Sequence, residues 1–321
     1  MVGREILEIT HGDRRTRVFR NETAADDPVT LRLAGDKTSV HAMLSAHGLP
    51  VPDHVEFTLR SLEQAERFLI RARAPCVVKG ARSTSGGESV TTGIRTRSQL
   101  VSASVHAAVY SKELLIEREV AGDLYRLLFL DGRLIDTVVR HSPTVMGDGR
   151  STVHQLVMEE NARRLRQGEG AQTVLTVDQD MKNTLSRERL TLSSIPGQGT
   201  RIPLKTVTNN NAPEENAPAN GVLSEPIIEA GRRATSILRV RLAGVDVVVA
   251  DPSQPLQATG GVILEVNTTP GYHYHYYRRG DGVAVAVPIL AMLLGLDSDL
   301  VPPLVPSLRD NDRLNAGGAS G

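Results

Sequence analysis

The chain has 321 residues, with 37 Lys plus Arg against 37 Asp plus Glu, one cysteine and no tryptophan. The charge balance gives no electrostatic case for a nucleic-acid or membrane-surface partner, and a single cysteine excludes an internal disulfide framework. No apolar run is long enough for a transmembrane helix and the N-terminal stretch has no signal-peptide core, so the expectation is a cytoplasmic protein of two or three subdomains.

Residues 1–35 read as a short β-rich lead-in, with weak alternation over 6–9, 16–19 and 30–33. Asp36 is a fair N-cap for a helix carrying Val40, Met43, Leu44 and His47 at helical spacing, which Gly48 and Leu49-Pro50-Val51-Pro52 end. A second helix spans about 61–72. Pro75 leads into the strand 76–79, where Cys76 sits in an apolar run as a buried, inert thiol. The loop from Arg82 to Ser89 follows a strand ending in Lys79, and its Gly86-Gly87 pair with Ser85 lets backbone amides approach an anion. A lysine beside such a loop suits phosphate. The plainer alternative is a solvated loop.

A helix near 98–109 and a strand at 113–118 come next. Residues 122–130 and 133–140 form a hairpin about Asp131-Gly132, and the turn 147–152 caps a helix over 153–166. Residues 167–225, rich in Gly, Pro, Asn and Thr, show little periodicity, and so long an irregular stretch inside a domain points to function. A helix over 225–239 then leads into a valine-rich strand, 243–251, interrupted by one acid, Asp246. A second apolar strand, Val262–Val266, is interrupted by Glu265, and alternation puts Glu265 and Asn267 on one face. A buried carboxylate is costly unless paired or bound to metal. Two neighbouring strands each presenting an oxygen ligand make a hard-cation site of the kind magnesium shares with phosphates. The competing reading pairs Glu265 with an arginine and leaves Asp246 in a turn. Four of the six tyrosines cluster over 272–277, followed by an apolar helix at 283–294 and a disordered tail from 301.

These pieces, in this order, resemble the ATP-grasp superfamily, closest to the ATP-grasp portion of cyanophycin synthetase and more distantly to D-alanine–D-alanine ligase and glutathione-synthetase-like enzymes. The resemblance runs from Asp36 to about Leu296. It is carried by Asp36-Lys37, VVK at 77–79, LIEREVAGDLYRLLFLDGRLI at 115–135, GDGRST at 147–152, AGVD at 243–246 and ILEVNTTPG at 263–271. It implies an α+β, ATP-grasp fold in which two subdomains grip ATP: a short segment 1–35, a small lid subdomain 36–116, a large subdomain 117–298 with the metal site, and a tail 299–321. It implies that Lys37 and Lys79 hold ATP phosphates under the loop containing Ser85, Gly86 and Gly87, and that Glu117 and Val120 form the adenine hinge. The resemblance further implies that Lys205 and Asn209 lie near the phosphates, that Arg126 faces the acyl phosphate or carboxylate, that His275 stands at the acceptor side, and that Asp246, Glu265 and Asn267 bind one or two magnesium ions.

The chain departs from that pattern at Leu124, where the cyanophycin-synthetase branch has an acid. Asp123, the ribose candidate, stands one position early. The Asn-rich loop leads to Pro213-Glu214 rather than to a Gly-Gly pair. The implied activity is ligation of a carboxylate to an amino-acid amine through an acyl phosphate, with ADP released. The substrates are amino acids or peptides, with a homodimer expected by analogy. The alternative from another class is a nucleotide-binding module without chemistry. A third idea, transition-metal binding by His273 and His275 on one strand face, competes with a tyrosine-lined acceptor pocket.

Overall fold

The polypeptide is organised by two antiparallel sheets, each with helices on one face and with its other face turned into a shared cleft. The computed structural model describes residues 5–82, 87, 89–167, 174–206, 212–278, 280, 282–296 and 306–307. The chain begins with a hairpin, β1 (Ile6–His11) and β2 (Arg14–Phe19), in register from Ile6↔Phe19 to His11↔Arg14. Residues 30–33, read as extended, lie instead in a helix, α1 (Pro28–Ala34). Asp27 caps it by accepting from the amides of Val29 and Thr30, and Pro28 occupies the first turn, where its missing N–H costs nothing. The Asp-Pro pair was the signal, and it outranks weak alternation.

Helix α2 (Lys37–Ala46) starts at Asp36, whose carboxylate accepts from Ser39 N at 3.0 Å, and gives way to Gly48 at φ +74°. The first sheet follows: β3 (His54–Phe57), helix α3 (Leu62–Ala72), β4 (Cys76–Gly80), β5 (Thr91–Ile94), helix α4 (Arg97–Ala108) and β6 (Leu114–Arg118), in spatial order β3-β6-β4-β5. Its core joins Phe68 and Leu69 of α3 and Leu100 and Ala103 of α4 to Val78, Ile94 and Ile116 of the strands. Cys76 is fully buried there, and burial pushes its thiol up to about 11, which leaves it unreactive.

The second sheet is built from β7 (Asp123–Leu130) and β8 (Arg133–Arg140). Their turn, Asp131-Gly132, has both residues at positive φ (49° and 75°), as the twist of a two-residue hairpin demands. A lobe then leaves the sheet: β9 (Thr144–Met146), α5 (Val153–Arg166), α6 (Gln179–Arg187) and β10 (Arg201–Pro203), which pairs with β9. It has its own core of Val153, Val157, Met181, Leu185, Ile202 and Leu204. The expected irregular stretch therefore contains a helix, α6, announced only by its N-cap Asp178, which accepts from Met181 N. The chain returns through β11 (Asn216–Pro218), α7 (Glu225–Leu238), β12 (Leu242–Val249), a short helix α8 (Leu256–Thr259) and β13 (Val262–Asn267), giving the order β11-β8-β7-β12-β13. One short turn, α9 (His273–Tyr276), and the apolar helix α10 (Ala286–Leu293) follow.

Odd-numbered residues of β7 and β12, among them Leu127, Phe129, Val245 and Val247, pack on Ile227, Ala234 and Leu238 of α7. Val40 and Leu44 of α2 belong to this same core, so α2 packs with the second sheet, while its first residue, Lys37, donates its backbone N–H to Ala81 O beside the first. The tail lies outside the described residues except for Pro306–Ser307, which pair with Gly282–Val283. Among the described residues, no helix is long and apolar enough to cross a membrane.

Candidate active site

The face of the second sheet turned away from α7 carries a row of charges. Asp246 of β12 stands directly opposite Arg126 of β7 on one side and Glu265 of β13 on the other. Arg140 of β8 is opposite Leu124, two residues before Arg126. Directly opposed residues share a face, as do residues two apart. Across β8, β7, β12 and β13 the order is thus cation, cation, anion, anion.

Arg126 holds both oxygens of Asp246, Nε on Oδ1 and Nη2 on Oδ2 at 2.8 Å. Burial opposes the guanidinium charge, but Asp246 beside it outweighs that and raises its pKa further. The room comes from Gly244, where a Cβ would lie 2.9 Å from Arg126 Cδ and 3.0 Å from Pro270 Cβ. Asn267, opposite Gly244, reaches Asp246 Oδ2 at 3.4 Å. Lys37 Nζ is 3.2 Å from Glu265 Oε1. Burial favours a protonated Glu265, yet Lys37, Lys79 and Arg126 together hold the carboxyl below its ordinary pKa. From the first sheet, Lys79 Nζ meets Glu117 Oε2 at 2.8 Å, both nearly inaccessible.

A cleft of about 890 Å³ separates the two sheets, and Lys37, Lys79, Gly87, Glu117, Val120, Asp123, Arg126, Asp246, Glu265 and Asn267 all line it. Ser85, Gly86 and Asn209 fall outside the described residues. Lys205 is not among the lining residues. Its ammonium is buried against Asp178 and Thr176 Oγ1 of the lobe. His275 is also elsewhere: it is fully buried, its Nδ1 2.7 Å from Asp136 Oδ2, an oxygen that Arg278 Nη1 also reaches at 2.7 Å. Burial pulls its pKa down, with Asp136 opposing.

His273 lines the cleft in place of His275. The two histidines lie on a helical turn rather than a strand, so residues two apart point to different sides and share no metal site. Among the described residues no group of three His, Cys, Asp or Glu could hold a metal. The donor set that does exist, two carboxylates and one amide oxygen from adjacent strands, suits a hard cation that takes its remaining ligands from phosphates. Lys37 and Arg126 balance the two acids meanwhile.

Two further groups escaped the sequence. Arg140 stands in the cleft wall beside Tyr274 of the expected tyrosine-lined pocket, its guanidinium 4.2 Å from the ring centroid. Arg20, Asn21 and Glu22, just past β2, reach the cleft from the lead-in segment. Nothing in the spacing of either group signals the cleft.

Two α+β units facing each other across a charged cleft define the architecture, which is the ATP-grasp fold. The chain is similar, more particularly, to cyanophycin synthetase from Trichormus variabilis, 30% identical over 276 residues that cover 85% of this chain and 30% of that protein. It also matches the glutathione biosynthesis bifunctional protein GshAB of Streptococcus mutans, 26% identical over 299 residues, 90% of this chain and 39% of that one. The chain therefore spans about a third of the length of these curated relatives. Among solved structures, a bifunctional glutathione synthetase from Pasteurella multocida superposes with a TM-score of 0.56 and 22% identity, over 91% of this chain and 40% of that one. No family model matches.

Proposed function

We propose that the chain is an ATP-dependent carboxylate–amine ligase acting on amino-acid or peptide substrates through an acyl phosphate. The observation that carries this reading is the Arg126–Asp246–Glu265 row facing the Lys79–Glu117 pair across one cleft. The relatives whose names denote cyanophycin and glutathione synthesis support it. In this reading Lys79, oriented by Glu117, and Lys37 bind the ATP phosphates, with Gly87 lining the same cleft. Glu117 and Val120 border the base, and Asp123 stands near the ribose.

Asp246, Glu265 and Asn267 are the residues that would hold magnesium, which when bound supplies charge neutralisation on the phosphates. Arg126 stabilises negative charge developing on the transferred phosphoryl group while keeping Asp246 aligned. A substrate carboxylate oxygen attacks the γ-phosphorus and ADP departs. An amine nitrogen then attacks the acyl carbon, phosphate leaves and an amide forms. A cleft filled by its substrates keeps out the water that would otherwise hydrolyse the acyl phosphate. His275, tied to Asp136, supports the tyrosine segment from behind.

The test is a screen of paired amino acids and dipeptides for ADP and phosphate release, with mass spectrometry of the products. Amide product with one ADP and one phosphate is expected. AMP and pyrophosphate would refute the acyl-phosphate route, and full turnover in Asp246→Asn or Glu265→Gln would refute the metal assignment.

A further inference from the structure

Amide formation leaves a proton on the attacking nitrogen, and the acids of the metal row are poorly placed to take it. Asp246 is held by Arg126, Glu265 by Lys37 and, across the cleft, Glu117 by Lys79. His273 is not committed in this way. It is exposed, it lines the cleft, and neither ring nitrogen has a hydrogen-bond partner among the described residues. It is the first residue of α9, and its neighbours fix where the ring lies. The imidazole is 3.8 Å from the Tyr274 ring, centre to centre, and the Arg126 guanidinium stands 5.6 Å from that same tyrosine ring. The Nδ1–Cε1 edge of the imidazole folds over Gly271, where a Cβ would come within 2.9 Å of Cε1 and 3.0 Å of Nδ1. Pro270 and Arg126 both crowd Gly244. The segment from Asn267 to His273 thus runs from the metal row, past Arg126, to the imidazole.

We infer that His273 is the catalytic residue that accepts the nitrogen's proton in the amide-forming step. The inference rests on the ligase reading above. The amine lone pair forms the N–C bond while the carbonyl pair moves to its oxygen, giving a tetrahedral adduct with a positively charged nitrogen. A ring nitrogen of His273 takes the N–H proton. The pair on oxygen then returns, the C–O bond to phosphate breaks with its electrons, and phosphate leaves. Partial burial of the ring, then the charges of Arg140 and Arg126, pull its pKa from 6.5 down to about 4, so the ring is neutral and has a lone pair to offer. Such a ring does not deprotonate a free ammonium. The adduct is different: its nitrogen carries positive charge on a carbon that bears two oxygens, and its N–H is correspondingly acidic. The two arginines repel the imidazolium once formed, and it yields its proton to the solvent to which it is exposed.

The experiment compares two acceptors in the wild type and in His273→Gln, with the carboxylate donor that the screen above selects. One acceptor is the amino acid of the selected pair, read as amide. The other is hydroxylamine, read as hydroxamate. Hydroxylamine is already neutral at neutral pH, and its adduct is acidic enough to lose its proton to water, so it depends far less on a base. In His273→Gln the kcat with the amino acid should fall about a hundredfold or more, the range of general-base catalysis. The loss with hydroxylamine should be at least about tenfold smaller, and that residual rate also shows that the variant is folded. In His141→Gln, the variant of the other described histidine of the lining, the two acceptors should fare alike. Equal losses with both acceptors in His273→Gln, no loss with either, or a selective loss in His141→Gln overturns the inference. Absence of ADP release with every donor, hydroxylamine included as acceptor, overturns the ligase reading instead.

Discussion

His41 shows how one side chain can carry a pH signature. It projects from α2 into the space between the sheets, 1% exposed, its Nε2 3.2 Å from Leu264 O of β13. That contact makes Nε2 the donor, so the neutral ring turns a bare Nδ1 toward Glu117 Oε1, 3.8 Å away. Burial drives the pKa from 6.5 down to about 4. The charges of Lys79 and His54 act in the same direction, while Glu117 and the Leu264 carbonyl oppose. Above the unfolded value the group is neutral in both states and contributes nothing. As pH falls from there the unfolded histidine takes up a proton that the folded one refuses, and stability is lost until the folded pKa is reached. Between pH 6.5 and 4.5 the wild type should lose about 2–3 kcal/mol more than His41→Gln in urea unfolding. Parallel curves would mean that the buried His41 ring takes up a proton as readily as the unfolded one.

At the scale of elements, α6 does the most unexpected work. Its buried Asp180 accepts from Thr92 Oγ1 at 2.6 Å on β5 and from Thr206 N at 3.1 Å and Thr206 Oγ1 at 3.0 Å. Asn183 donates to Thr92 O at 2.8 Å, and Arg187 pairs with Glu119 at 3.0 Å. One helix of the lobe thereby fastens the edge strand of the first sheet to the segment after β10, and Thr92 and Thr206 both line the cleft. Asp180→Ala strands several buried donors at once. It should lower stability by about 3 kcal/mol or more, read as a lower urea midpoint with unchanged slope. A loss under 1 kcal/mol would show that the two segments are held by other contacts.

At the scale of the molecule, the cleft joins two separate cores, one around α3 and α4 and one around α7. A ligand that touches both sheets stabilises their arrangement by mass action, by about 2.7 kcal/mol at a hundred times its Kd. ATP with magnesium should therefore raise the melting temperature of the wild type. Lys79→Ala, which removes a buried cation facing the cleft from the first sheet, should abolish most of that rise, and chelating the magnesium should reduce it. A rise that persists undiminished in Lys79→Ala would place the nucleotide elsewhere.

What residue order alone determined is local. Asp36 starts a helix because its carboxylate caps it, Asp131-Gly132 turns a hairpin because both residues tolerate positive φ, and a lone acid in each of two valine-rich strands marks a cleft because an unpaired buried carboxylate is too costly to keep. What the tertiary structure decided is which face each residue meets. Counting back from the turn pairs Leu130 with Arg133 and Phe129 with Leu134, a register that would set Arg140 on the face opposite Arg126. The irregularity between Leu128 and Phe129 inserts one residue, pairs Leu128 with Asp136, and brings Arg140 and Asp136 round to the cleft side. A second irregularity, after Asp246, accompanies its alignment with Glu265. His275 and Lys205 were misplaced for the same kind of reason: a helical turn and a lobe with its own core carried their side chains to Asp136 and Asp178. A bulge costs a single ladder position and leaves no mark in composition or periodicity, so only the packed sheets could settle it.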